Sequence, residues 1–356
     1  MKFVHIADMH FDIPFTLLQK NDLGEQRRLE QRNVFKKIIQ YIKENDIEYL
    51  FICGDFYEHE YVKQSTIEFI NNQFKEIPDT KIYIVPGNHD PITLNSYYNM
   101  FKWNDNVFIF DENIKKMEND NINIYGYGFN NFYLSENKIS EINVDKEKIN
   151  ILLTHTSLDA SQIEEKNYNP LSTKELEELG MDYIALGHIH KPSEVKENSR
   201  IMYCGSPISL GFDELGEHGM IVGEILNNKK INLEFVKLDE KEFVEEKIDI
   251  SQINTKEELI EFINLKEFKE TNYYKINLIG NKNFQLNTYD ILKYITHINI
   301  IKIKDNTSIN IPLDKLACEN NLKGIFVKNM LKKINEQPQN EEKYLQVIQI
   351  GLEALE

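Results

Sequence analysis

Five apolar, strand-like runs in the first 190 residues each end in a short polar signature, and that pairing constrains the chain more than anything else in it. The runs are Phe3–Ala7, Tyr49–Cys53, Ile82–Val85, Ile151–Leu153 and Tyr183–Leu186. The signatures are Asp8-Met9-His10, Gly54-Asp55, Gly87-Asn88-His89-Asp90, Thr154-His155 and Gly187-His188-Ile189-His190. In an open α/β sheet the carboxyl ends of parallel strands form one rim, so polar groups far apart in sequence converge there. Between the runs lie amphipathic helical stretches. Phe35, Ile38, Ile39 and Ile42 share one face of Gly24–Asn45, and Ile67, Ile70 and Phe74 share one face of Gln64–Lys75. That alternation predicts βαβ units.

Asp8, Asp55, Asn88 and five histidines on such a rim make a ligand set large enough for two metal ions. Asp8 and His10 alternate about Met9, so on extended backbone they point the same way, and His188 and His190 have the same spacing. Asp55, alone after its strand, is the candidate bridging carboxylate, and Asn88 offers an uncharged amide oxygen. Oxygen and imidazole donors without thiolate suit Mn, Fe or Zn. Two such ions, ~3.5–4 Å apart, lower the pKa of a bridging water, whose hydroxide attacks phosphorus. His89 is expected to stay off the metals and face the leaving oxygen, with Asp90 orienting it. DxH, GD and a single His are each weak alone, since a lone His is more often a core residue than a ligand. GNHD and GHxH are individually stronger, because two polar residues beside Gly after an apolar strand have little packing rationale. The order of five, each after a strand, carries the inference. His5, His59, His218 and His297 lack this context and read as structural or solvated.

At 356 residues the chain exceeds what one core organises, so two domains are expected. A hairpin is expected from Met220–Leu226 and Ile231–Leu238 across Asn227-Asn228-Lys229-Lys230, with a boundary near residues 238–246, where charged residues dominate. A smaller α/β unit follows, as helix Thr255–Ile263, strand Tyr274–Ile279, helix Tyr289–Thr296 and strand Ile298–Lys304. The tail carries two amphipathic helices, Leu322–Ile334 and Tyr344–Leu355, which either pack on that unit or dock a partner helix. The net charge of -17 argues against a broadly basic surface, although bound cations and a partner subunit could supply what a polyanion needs. Cys53, Cys204 and Cys318 give neither a disulfide framework nor a thiolate zinc site. No apolar run approaches the ~20 residues of a membrane span, and the chain enters a strand at once, so a cytoplasmic protein is expected.

The order DxH, GD, GNHD, H, GHxH resembles the calcineurin-like metallophosphoesterase superfamily over residues 1–240. Within it, Ala185–Lys191 followed by Tyr203-Cys204-Gly205-Ser206-Pro207 and Phe212-Asp213-Glu214 is similar to the SbcD-type DNA repair nucleases and their short, YhaO-like relatives. The resemblance implies an α/β fold, a two-sheet sandwich flanked by helices (1–240), with a smaller capping domain (241–312) and a C-terminal helical segment for partner binding (313–356). It implies one metal on Asp8, His10, Asp55 and His190, and a second on Asp55, Asn88, His155 and His188. His89 would be the catalytic histidine, Gly205 and Ser206 would contact substrate, and Mn would be the usual ion. DNA as substrate, a homodimer and an SbcC-like coiled-coil ATPase partner are implied as well. A small phosphodiester or cyclic nucleotide is the alternative substrate, and a mainly scaffolding role beside the ATPase is the alternative function. One departure stands out: relatives commonly place Asp or His three residues after the GD aspartate, where this chain has Glu58.

Overall fold

The structure is a computed structural model that describes residues 1–18, 22–160, 168–284, 286–309 and 313–355. The chain divides into two compact units, Met1–Val244 with Thr271–Tyr273, and Glu245–Glu270 with Tyr274–Glu356.

The first unit runs β1 (Lys2–Ile6), α1 (Leu23–Glu44), β2 (Tyr49–Cys53), α2 (Gln64–Lys75), β3 (Lys81–Val85), α3 (Tyr97–Met100), β4 (Val107–Ile109), β5 (Lys115–Asn119) and β6 (Ile122–Gly126). It continues with β7 (Ile149–His155), α4 (Thr173–Glu178), β8 (Tyr183–Gly187), β9 (Ile201–Tyr203), β10 (Gly219–Ile225) and β11 (Ile231–Lys237). One sheet has the order β11-β10-β1-β2-β3-β4, parallel from β1 to β4, with β10 and β11 added antiparallel. The other has the order β5-β6-β7-β8-β9, parallel except for β5. The five signature strands therefore do not share one rim: β1, β2 and β3 lie in the first sheet, β7 and β8 in the second.

Strands covered on both faces read as continuous apolar runs, and alternate residues explain where each face goes. Val4, Ile6, Leu50, Ile52, Ile82 and Ile84 pack with Phe35, Ile38, Ile42, Ile67 and Phe74 of α1 and α2. The opposite face, with Phe3, Phe51, Cys53, Tyr83 and Val85, packs against Ile151, Leu153, Tyr183 and Ala185 of the second sheet. Leu152, Ile184 and Leu186 turn outward onto Leu176 of α4. Burying each such side chain contributes about 1.5–3 kcal/mol. α4 opens on a capping box, in which Ser172 and Glu175 satisfy each other's backbone N–H groups.

The second unit has a three-stranded sheet, β12 (Phe243–Asp249), β13 (Tyr273–Ile279) and β15 (Ile300–Asp305) in the order β12-β13-β15, and a small parallel pair, β14 (Asn281–Lys282) with β16 (Ser308–Ile309). Helices α5 (Lys256–Leu265), α6 (Thr288–Tyr294), α7 (Leu313–Leu316), α8 (Leu322–Glu336) and α9 (Glu341–Ala354) complete it. Val327, Met330 and Ile348 form a separate small core between α8 and α9. β12 was hidden inside the charged boundary stretch, because its exposed positions carry charges while Phe243 and Ile248 are buried. Among the described residues no helix is long and apolar enough to cross a membrane.

Candidate metal centre

Just past β1, Asp8 and His10 both take left-handed backbone, with φ of 51° and 46°. Their N–H groups donate to Gly54 O and Asp55 O at 3.0 and 2.9 Å, so the segments following β1 and β2 stay side by side. Left-handed kinks, not strand alternation, therefore aim this pair. Asp55 has φ of 50° and follows Gly54 at 87°. From the other sheet, the His188 N–H donates to both Asp8 oxygens at 3.0 and 3.1 Å. Gly187 is the point of closest approach, since a Cβ there would lie 1.7 Å from Cys53 O and 2.8 Å from Ala7 Cβ. Only glycine lets β8 deliver His188 so near β1 and β2.

Two groups of donors converge, Asp8 with His10 and His190, and Asp55 with His155 and His188, and a third, His10 with Glu58 and His89, overlaps the first. His10 Nε2 lies 3.2 Å from His190 Nε2, and His155 Nε2 lies 3.1 Å from Asn88 Oδ1. Asp55 Oδ2 stands between the groups, 3.7 Å from His10 Nε2 and 3.3 Å from His155 Nε2. All seven expected ligands are thus brought together. The outward ring nitrogens are held as well: His10 Nδ1 by Glu58 Oε1 at 2.7 Å, His190 Nδ1 by Glu214 Oε2 at 2.5 Å, and His155 Nδ1 by Cys53 O at 2.9 Å. Such partners fix the tautomer and turn Nε2 inward.

This geometry fits divalent ions. With both Nδ1 atoms donating to carboxylates, the Nε2 lone pairs of His10 and His190 face each other, an arrangement that a shared proton or a cation relieves. The converging donors are carboxylate and amide oxygen with imidazole nitrogen. The thiols of Cys53 and Cys204 are buried and pushed well up by burial and by the Asp8 charge, so neither offers a thiolate.

Electrostatics follow the same contacts. Burial alone would raise Asp55, but the His155 charge and hydrogen bond, with His89 and His10, hold it well below the carboxylate range. Burial would lower His155, yet Asp55 lifts it to about 9. His190 is likewise lowered by burial and lifted to about 9, through Glu214 and Asp8. His188, desolvated and beside His155, falls to about 3. His89 is lowered by burial but lifted to about 9 by Glu58, Asp55 and Asp90.

His89 sits at the mouth of the site with its side chain 44% exposed, and Glu58 Oε2 lies 3.0 Å from its Nδ1. Glu58, in place of the relatives' Asp or His, therefore does the orienting expected of Asp90. Asp90 is fully buried and its oxygens accept from Gly87 N (2.6 Å), Phe56 N (2.8 Å), Asp55 N (3.0 Å) and Tyr98 Oη (2.6 Å). Its carboxylate is consumed in fastening the Gly87–Asp90 turn to the Asp55 turn. Ser206, expected against substrate, is also fully buried, with Oγ 2.8 Å from His218 Nδ1. Gly205 is buried with φ of 73°, and a Cβ there would meet His190 O at 2.7 Å, so its role is backbone packing behind the ligand. Two contributors were not singled out from sequence. Glu214 was visible only as an acid within the Phe212-Asp213-Glu214 motif, and Tyr168, whose ring lies 5.1 Å from that of His188, carried no local signal.

These side chains open onto a cleft of about 790 Å³, lined also by Leu17, Lys191, Leu210 and Phe212. Residues 1–192 match the family model described as Calcineurin-like phosphoesterase. The chain is similar to a protein of Bacillus subtilis (strain 168) called "Uncharacterized metallophosphoesterase YhaO", at 23% identity over 275 residues, covering 74% of this chain. The match spans 66% of that protein's length. Among solved structures it is similar to TT1561 of Thermus thermophilus, with a TM-score of 0.39, 11% identity, and coverage of 66% of this chain and 98% of that one. The signatures, their convergence and the match over more than half its length make this chain a member of the calcineurin-like phosphoesterase family, whose activity is metal-dependent hydrolysis of phosphoesters.

Proposed function

We propose that the chain is a two-metal phosphodiesterase that cleaves the DNA backbone, as an SbcD-like exonuclease or endonuclease, with Mn2+ as its activating ion. One observation carries the two-metal reading: Asp55 Oδ2 is the carboxylate oxygen within 3.7 Å of one histidine group and 3.3 Å of the other. Asp8, His10, Asp55 and His190 would hold the first ion, and Asp55, Asn88, His155 and His188 the second. Ions there would supply Lewis acidity and a water of lowered pKa.

The chain's own residues supply the rest. His89 Nδ1 is committed to Glu58, which leaves Nε2 at the cleft mouth to give a proton to the departing sugar oxygen. Asp90 keeps the His89 turn rigid through its backbone bonds. DNA as substrate is supported by the resemblance of Ala185–Lys191, Tyr203–Pro207 and Phe212–Glu214 to SbcD-type nucleases. A homodimer and an SbcC-like ATPase partner belong to the same proposal, and the exposed apolar side chains of Leu322, Ile325 and Ile350 on α8 and α9 support a docking helix. The free cysteines Cys53, Cys204 and Cys318 are consistent with the cytoplasm as its location.

A second reading, hydrolysis of a small phosphodiester or cyclic nucleotide, is favoured by one fact: Lys191 is the sole lysine or arginine among the described residues lining the cleft. Incubating Mn-loaded protein with end-labelled duplex DNA and with bis-p-nitrophenyl phosphate decides between them. Cleavage of the duplex is expected; turnover of the aryl ester alone would sink the nuclease reading.

A further inference from the structure

We propose that Glu214 is a positioning residue for His190, and that it governs one of the two ion positions, the one formed with Asp8 and His10. The inference rests on the two-ion reading above but not on the nature of the substrate.

His190 is gripped twice by one loop. Its ring Nδ1 lies 2.5 Å from Glu214 Oε2, and its carbonyl accepts the Ser206 N–H at 3.0 Å. Glu214 is itself braced: its other oxygen accepts the Leu210 N–H, its backbone carbonyl lies 2.8 Å from His218 Nε2, and Ser206 Oγ lies 3.4 Å from Oε2. Ser206 and His218 are both buried and bonded to each other, so the loop closes on itself behind the ligand. The Glu214 side chain is only 9% exposed, so solvent does little to weaken its pull on the ring.

The two ion positions are not braced alike. Both imidazoles facing each other in the first group, His10 and His190, carry a carboxylate on Nδ1. His155, in the second group, is held by the neutral carbonyl of Cys53. An anionic partner on the far nitrogen makes an imidazole a better donor and fixes its plane, and losing such a partner typically weakens metal binding by about 10–100-fold. Because the Glu214 carboxylate bonds to His190 and to Leu210 and Ser206 of its own loop, the loss should fall on one ion.

Mn2+ alone is titrated into metal-free wild type and Glu214→Gln, with calorimetry for affinity and electron paramagnetic resonance for the coupled ion pair. Gln keeps the size and an acceptor oxygen but not the charge. The expected result is one position unchanged within about twofold and the other weakened about 10–100-fold, with the coupled signal lost at two equivalents. Ser206→Ala, which loosens the brace without touching the ring, should weaken the same position to a lesser degree, and it serves if Glu214→Gln does not fold. Equal loss at both positions, or wild-type binding in a folded variant, overturns the proposal. A wild type that takes up a single ion overturns the two-ion reading. Glu214 is then judged on that ion, and unchanged affinity in the variant overturns its role.

Discussion

His89 Nδ1 stands 3.0 Å from Glu58 Oε2, and the other oxygen of that carboxylate lies 2.7 Å from His10 Nδ1. One side chain, 12% exposed, thus fixes a proposed metal ligand and the proposed proton donor together. This coupling explains how the chain does without the Asp or His its relatives commonly place there. The longer Glu reaches two imidazoles at once.

Groups that act as a unit give non-additive losses. His89→Ala is expected to lower kcat on bis-p-nitrophenyl phosphate by about 10²–10⁴-fold. Glu58→Gln should lower it less, by about 10–100-fold, because the ring remains but loses its anchor. The double variant should fall no further than His89→Ala alone at saturating Mn2+. Multiplied losses in steady-state assays would mean the two residues act independently.

Asp55 Oδ2 stands between the two donor groups, as the proposed bridge requires, and its Oδ1 accepts the His89 N–H at 2.8 Å. Asp55→Asn should therefore weaken both ions, unlike the single-position loss expected for Glu214→Gln. Dialysis against Mn2+ followed by metal analysis checks this. A variant retaining two ions with wild-type affinity would remove Asp55 from the bridge.

The close approach of β8 to β2 should be intolerant of any side chain. Gly187→Ala drives a Cβ into Cys53 O and Ala7, both backbone-fixed in the core between the sheets, so the strands must part. Overpacking of this kind costs about 1–3 kcal/mol or more, and it would also shift His188. Gly180→Ala makes a useful control: its φ is 70°, but none of the described residues lies within 4 Å of an added Cβ. It should cost about 1–2 kcal/mol, from the left-handed backbone alone, and leave Mn2+ binding intact. Urea midpoints and metal titrations of the two variants would test the contrast.

What was legible in the sequence was local. A strand followed by a polar signature leaves its mark in consecutive residues, so the seven side chains that converge at the site and most strands of the first unit could be named from the sequence. Contacts set by loop return left no such mark. Glu214 reaches His190 across 24 positions and Glu58 reaches His89 across 31, and neither separation has a period to detect. Asp90 misled for a related reason: adjacency to His89 suggested partnership, whereas three buried N–H groups from nearby turns claimed its oxygens first. The same holds for Ser206, whose place in a polar motif concealed complete burial.

Arg27 is fully buried between the rings of Phe243 and Tyr273, donating to both oxygens of Asp239 and to Ser209 O. Asp239 Oδ2 also accepts the Ser209 N–H at 2.9 Å. Removing one partner leaves an uncompensated charge in the core, so Arg27→Met should destabilise by about 3–5 kcal/mol. Arg27→Met with Asp239→Leu should recover much of that loss. Equal destabilisation of the single and double variants in urea unfolding would show that packing, not charge, dominates there.

His5 provides a pH test away from the ligands. It is fully buried, Nδ1 lies 2.9 Å from Tyr183 Oη, and among the described residues Nε2 has no hydrogen-bond partner. Burial lowers its pKa from 6.5 to about 3, against a smaller opposing contribution from the Leu186 backbone. The folded chain therefore keeps His5 neutral at pH values where the unfolded chain takes up a proton. The associated stability is complete above pH 6.5 and is lost as pH falls from there toward 3, at up to about 1.4 kcal/mol per pH unit. His5→Asn removes this titration while leaving other groups in place. In urea unfolding of metal-free protein between about pH 6 and pH 4.5, wild type should lose stability faster than the variant, by roughly that slope. Parallel pH dependences would mean that His5 is protonated in the folded state or reached by water, and its burial would then carry no pH-dependent stability.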